Sequence, residues 1–283
     1  MEPANWEDDG RVARPSVRVA APQQPEIERV PWSELGPEFS VTWGRFDPAN
    51  PQPEHMEIVG MNGSGKTYFL CTVLQERMAV RNTPSVIIAT KPADGTLEKL
   101  GWPVIRHPRE LKKKRQCIFW PQTDALGLER KSYQEEKIYD LLSKLWQPES
   151  NTVVAFDEIA YAESLSPRMR DLIEMFWREG RSQGITVVGM KQRPQGANRH
   201  MSSESYWTIA YLPKDQDDLE RFAELFGSRR RWMPIMREMD PERHEFLIRN
   251  HRTGQAFISW VDLELEPLKP QDKNEMKEYL GHK

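Results

Sequence analysis

Eight consecutive residues, Gly60-Met61-Asn62-Gly63-Ser64-Gly65-Lys66-Thr67, set glycine, lysine and hydroxyl groups at the spacing G-x-x-x-x-G-K-[ST]. That spacing builds a phosphate cradle, a P-loop. Glycines let the backbone curl until successive N–H groups converge on phosphate oxygens, and a helix starting there adds its positive end. Lys66 is placed to reach the β- and γ-phosphates, and the Thr67 hydroxyl to ligate Mg²⁺. The cofactors expected are therefore ATP and Mg²⁺. A second constellation lies downstream, where the apolar run Thr152 to Phe156 ends in Asp157-Glu158. Ligands of open α/β sheets sit at the carboxyl ends of strands. Asp157 is placed to hold Mg²⁺ through water, and Glu158 to polarise an attacking water.

The second acid narrows the chemistry. A small-molecule kinase needs no hydrolytic glutamate there, so Asp157-Glu158 points to ATPases that couple hydrolysis to mechanical work. No N-K-x-D guanine motif is present; Thr90-Lys91-Pro92-Ala93-Asp94 is one residue too long and comes too early. No LSGGQ is present either, which disfavours a transporter ATPase.

These groups need a scaffold. Met56 to Val59 reads as a short buried strand before the glycine loop, and Thr67 to Val80 has apolar residues at helical spacing. Strands are expected at Ser85–Ala89, Val104–Ile105, Gln116–Trp120, Thr152–Phe156, Ile185–Met190 and Trp207–Leu212. Helices are expected at Ser132–Trp146, Pro167–Trp177 and Asp215–Phe226, the last with an Asp start and a Gly227 stop. Glu245–Arg249 and Gln255–Trp260 flank a turn, predicting a C-terminal β-hairpin. Strands alternating with helices imply an α/β fold with a mainly parallel sheet covered on both faces.

Nine of the 22 prolines fall in residues 1–53. Proline fixes φ and lacks a donor, so residues 1–37 are expected to form a Pro-rich acidic arm, with a short strand at Phe39–Trp43. The ATPase domain is placed at 38–265 and a polar tail at 266–283.

The stretch Arg178 to Pro194, with the two motifs above, resembles the FtsK/HerA superfamily of DNA-pumping ATPases. In that family a Gly-Arg-x-x-Gly-Ile turn leads into an apolar strand ending Thr-Gln-Arg-Pro. Here Gly180-Arg181-Ser182-Gln183-Gly184-Ile185 matches the turn and Gln192-Arg193-Pro194 the end. The likeness spans residues 55–227. Lys191 stands where the family has Thr, and Ala89-Thr90-Lys91 where many relatives have Asp-x-Lys. The resemblance implies a RecA-like P-loop NTPase. It makes Gln192 the sensor near the γ-phosphate and Arg181 an arginine finger reaching a neighbouring subunit's nucleotide, with Arg178 the second candidate. It also implies a homo-oligomeric ring, pentameric or hexameric, moving along double-stranded DNA.

Composition trims the classes further. Of 283 residues 29% are charged and 38% hydrophobic, the mean hydropathy is −0.73, and no run approaches a membrane span. No signal-peptide core opens the chain, and two cysteines, Cys71 and Cys117, make neither a disulfide framework nor a zinc cluster. A soluble cytoplasmic protein is expected. With no membrane anchor and no room for a nuclease domain after residue 227, the resemblance favours a viral genome-packaging motor, in the host cytoplasm, with a portal or procapsid as docking partner. The net charge of −3 hides residues 91–115, which hold eight bases and three acids. Lys112 to Arg115 and Arg229 to Arg231 are candidate phosphate grips on DNA, or solvated turns; Arg199 and His200 are weaker candidates. Trp102, Trp120, Trp177, Trp232 and Trp260 read as core or interface rather than base-stacking platforms. Two rival readings stand beside the translocase: a P-loop small-molecule kinase, and an ATP-gated switch with little turnover.

Overall fold

The computed structural model describes residues 27–43, 54–81, 83–113, 116–193 and 199–262. Its strands are β1 (His55–Val59), β2 (Ser85–Ile88), β3 (Val104–Ile105), β4 (Gln116–Phe119), β5 (Thr152–Phe156), β6 (Ile185–Lys191), β7 (Ser205–Tyr211), β8 (Phe246–Asn250) and β9 (Ala256–Ser259). Its helices are α1 (Trp32–Trp43), α2 (Lys66–Arg81), α3 (Gly95–Lys99), α4 (Gly127–Leu145), α5 (Ile159–Ser164), α6 (Pro167–Glu179), α7 (Arg199–Glu204), α8 (Gln216–Leu225) and α9 (Arg229–Arg237).

The strands form one sheet in the order β3-β4-β2-β5-β6-β1-β7-β8-β9. From β3 to β7 every pairing is parallel, whereas β8 and β9 run antiparallel as the expected hairpin. β1, β2, β5 and β6 are buried along their whole length, because helices cover both faces. One face, with Met56, Ile58 and Val188, packs on α1 and α2. The other packs on α4, α5 and α6 over β2 and β5, and on α8 and α9 over β7 to β9. The four buried strands are parallel, so all four release their chains at one edge, where the site lies.

The signature turn before β6 has a plain geometric basis. Gly180 ends α6, a short 3-10 turn follows, and Gly184 closes it at φ 75°. A Cβ on Gly184 would also stand 3.1 Å from Asn151 N. The glycine spacing is thus the spacing of a tight helix-to-strand reversal.

The start of the domain differs from expectation. Residues 32–43 form helix α1, not an arm running into a strand at Phe39. Pro37 lies inside the helix and removes one backbone donor. Against that, Trp32, Leu35, Phe39 and Trp43 are all buried, and burying such side chains contributes about 1.5–3 kcal/mol each. Tertiary burial outweighs the local defect. Preceding α1, Val30 N donates to Ile258 O, Ile258 N to Glu28 O and Trp32 N to Trp260 O, so residues 28–32 run along β9. Residues 1–26 and 263–283 lie outside the described residues. α3, α5, α7 and α9 are further elements that local periodicity did not announce; each is nine residues or fewer.

Candidate functional site

The phosphate loop leaves β1 and enters α2 directly. Gly63 and Gly65 take φ of 78° and 96°, the left-handed region that glycine enters without cost. Gly60 is glycine for a different reason: a Cβ there would meet Tyr211 Cβ at 2.7 Å. Lys66, the first residue of α2, folds back over the loop, its Nζ donating to Gly60 O at 2.5 Å and Met61 O at 2.6 Å. Burial lowers its pKa to about 8, against the pull of Glu158.

Asp157 and Glu158 follow β5. Asp157 is locked by its own N–H, which donates to Ile88 O of β2. Its Oδ1 accepts from Thr67 Oγ1 at 3.5 Å, and its Oδ2 pairs with Lys91 Nζ at 3.1 Å. Burial raises the pKa of Asp157, opposed by Lys91. Glu158 is raised by burial as well, opposed by the hydrogen bond from Gln192. Gln192 follows β6, and its Nε2 donates to Glu158 Oε2 at 2.7 Å. The loop, Asp157, Glu158 and Gln192 line one cleft of about 250 Å³. A larger cavity of about 460 Å³ opens at the opposite edge, beside Pro84, Leu111 and Leu145; it contains none of the phosphate-site residues.

Thr67 Oγ1 and Asp157 Oδ1 offer hard oxygen donors side by side, the set that suits Mg²⁺. Among the described residues no group of three or more His, Cys, Asp or Glu could cage a metal by itself. Mg²⁺ is usually bound through one or two carboxylates plus substrate phosphates.

Lys91, Asp94 and Thr96 line the same cleft and were not singled out as site residues in the sequence. Lys91 stands after β2 as Asp157 stands after β5, so the rule that ligands bind at strand carboxyl ends would have found it. Asp94 caps α3, accepting from Thr96 N and Leu97 N.

Lys191 points away from the cleft. It is buried beneath α7 and forms an ion pair with the buried Glu57 of β1; Ser202 of α7 donates to the same carboxylate. The backbone of Lys191 remains part of the site, since Gly60 N donates to Lys191 O at 3.2 Å. The strand bearing Gln192 is thereby tied to the strand bearing the phosphate loop.

Arg181 and Arg178 lie elsewhere. Arg181 sits before β6, at the amino edge of the sheet, with its guanidinium 4.5 Å from the Tyr206 ring centre. Its charge adds to burial in pushing His55, at the start of β1, down to a pKa of about 3. A five-residue strand separates that edge from the phosphate loop, a distance of about 16 Å. Arg178, on α6, pairs with Glu174 at 3.4 Å. Neither joins the cleft of its own chain.

Of the basic runs, Arg229 begins α9 and is engaged by Glu220 and Glu224 of α8, both at 2.7 Å. Residues 114, 115 and 194 lie outside the described residues, as do the side chains of Lys112, Lys113 and Arg199. His200 Nε2 stands 3.0 Å from Glu174. Trp102, Trp120, Trp177 and Trp232 are buried, and Trp260 lies under the Arg243 guanidinium. Both cysteines are buried free thiols. No helix among the described residues is long and apolar enough to cross a membrane.

No family model matches the chain, and no curated protein does. Solved structures do. The genome packaging NTPase B204 from Sulfolobus turreted icosahedral virus 2, in complex with sulfate, superposes with a TM-score of 0.57 at 16% identity, covering 76% of this chain and 98% of that one. VirB4 of Thermoanaerobacter pseudethanolicus gives 0.56 at 10% identity, covering 74% and 89%. The pCW3 conjugation coupling protein TcpA, with ATPγS, gives 0.52 at 13% identity, covering 80% and 66%. These are FtsK/HerA-type P-loop ATPases, and the chain shares their fold.

Proposed function

We propose that the chain is an ATPase that translocates double-stranded DNA, acting as a homo-oligomeric ring in viral or mobile-element genome packaging. The observation that carries the reading is the hydrogen bond between Gln192 and Glu158, at the mouth of a phosphate loop and beside Asp157. A glutamate held by a polar group from the neighbouring strand is what hydrolysis by a positioned water requires. B204 was solved with AMPPCP and with ATPγS, which supports a nucleotide triphosphate in the corresponding cleft here.

In this reading Gly60 to Thr67 wrap the phosphates, and Lys66 exchanges its two carbonyl partners for phosphate oxygens. Thr67 and Asp157 hold Mg²⁺, which screens the phosphate charge. Glu158 takes the proton of the attacking water, while Gln192 fixes the carboxylate and reports on the γ-phosphate. Arg181 completes the site of the next subunit. Its place at the far edge of its own sheet favours a contribution in trans over one in cis. DNA is gripped through its phosphates, independently of sequence.

The test is steady-state ATP hydrolysis over a protein concentration series, with and without double-stranded DNA, at low and moderate salt. A rate per subunit that climbs with protein concentration and further with DNA is expected. A flat rate, indifferent to DNA, would overturn the ring translocase.

A further inference from the structure

The turn after β2 carries a cation into the phosphate cleft. Lys91 Nζ lies 3.1 Å from Asp157 Oδ2 and 3.7 Å from Asp94 Oδ2. The turn itself is held at three successive carbonyls. Thr90 O accepts from Arg130 Nη2 at 2.9 Å and Gln134 Nε2 at 3.1 Å. Lys91 O accepts from Trp120 Nε1 at 2.7 Å, and Pro92 O from Gln122 Nε2 at 3.1 Å. Surface turns ordinarily leave such groups to water. Here four side chains fix the point from which the Lys91 side chain departs. Tyr161 of α5 donates to Gln134 Oε1 at 2.7 Å, so the helix that starts after Glu158 is tied into the same network.

Lys91 is not sealed in with the aspartate that it pairs. The Asp157 side chain is 0% exposed, but that of Lys91 keeps 36%, and Lys91 lines the wall of the cleft. Its four-carbon stem lets the ammonium swing between partners without moving the backbone. An added γ-phosphate brings further negative charge into the cleft that the Lys91 ammonium lines.

Resting on the reading of this cleft as an ATP site, we propose that Lys91 is a further phosphate-binding residue, serving the terminal phosphate of bound ATP as well as Asp157. It would make the site distinguish ATP from ADP through a charge supplied by its own chain.

The experiment is titration of fluorescent ATP and ADP analogues into the full chain with Mg²⁺, for wild type, Lys91→Met and Lys91→Arg. Melting of each nucleotide-free chain checks its fold. Lys91→Met is expected to weaken ATP binding about tenfold, equivalent to about 1.4 kcal/mol, and ADP binding less than about threefold. Lys91→Arg should keep most of the preference. Equal losses for both nucleotides, or no loss, would leave Lys91 a counter-ion only and overturn the proposal. If Lys91→Met melts early, Trp120→Phe removes the donor to Lys91 O and keeps an aromatic ring; it should narrow the ATP preference, and an unchanged preference counts against us. A wild-type chain that binds neither nucleotide is a different result, and overturns the ATP site and the proposal together.

Discussion

In the proposed function, Glu158 is the residue on which turnover depends most directly. Glu158→Gln keeps the shape and removes the base, so nucleotide binding should persist while hydrolysis falls by about 10²–10⁴-fold, the range for loss of general-base catalysis. Lys66→Ala should abolish hydrolysis by weakening nucleotide binding. Steady-state hydrolysis with circular dichroism as a fold check measures both, and an active, folded Glu158→Gln chain would remove Glu158 from its role. Gly60 to Thr67, Asp157 and Glu158 were readable because phosphate and metal chemistry dictates their spacing. Lys91 was harder, since a lysine after a strand has no fixed offset from any other motif. The burial of Lys191 was not readable at all. Its partner Glu57 lies on a strand distant in sequence, and only the pairing of β1 with β6 brings the two together. Lys191→Met should cost about 3–5 kcal/mol in chemical denaturation, because it strands a buried carboxylate; a much smaller loss would mean that water reaches Glu57.

At the scale of elements, α1 against α2 is the contact that local reasoning misread. Proline count argued against a helix, but α1 buries Trp32, Leu35, Phe39 and Trp43, and that burial prevailed. The contact has a polar centre. Trp32 Nε1 and Ser40 Oγ both donate to Glu76 of α2, yet burial raises the Glu76 pKa to about 7. The folded state therefore binds this proton more tightly than the unfolded chain, where the group titrates near the ordinary carboxylate value. The stability linked to it is fully present below about pH 4 and is lost as pH rises through 7. Glu76→Gln mimics the protonated form. It should match wild type near pH 4 and exceed it near pH 8 by about 3 kcal/mol, as read from denaturation midpoints at the two pH values. A constant difference between the two chains would mean that Glu76 stays ionised throughout.

For the whole molecule, alternation of strands and helices was legible as a parallel α/β sheet, but strand order was not. β1 inserts between β6 and β7, and no local pattern encodes that neighbour choice. For the proposed ring the order has a corollary: Arg181 and the phosphate loop occupy opposite edges of the sheet, so an Arg181 finger would act between subunits and not within one. Arg181→Ala and Glu158→Gln chains, each inactive alone, should regain hydrolysis when mixed, because a mixed ring contains junctions with an intact cleft facing an intact arginine. No recovery on mixing, with both variants folded, would place the finger elsewhere. The segment at residues 28–32 has a practical bearing as well. It supplies hydrogen bonds to β9, which otherwise ends the sheet. Trimming the Pro-rich start as far as residue 37 would strip that cover, delete the first half of α1, and leave a bare strand edge of the kind that recruits other chains. A shortened protein prepared that way would be prone to aggregate, and its self-association would be an artefact easily mistaken for a ring.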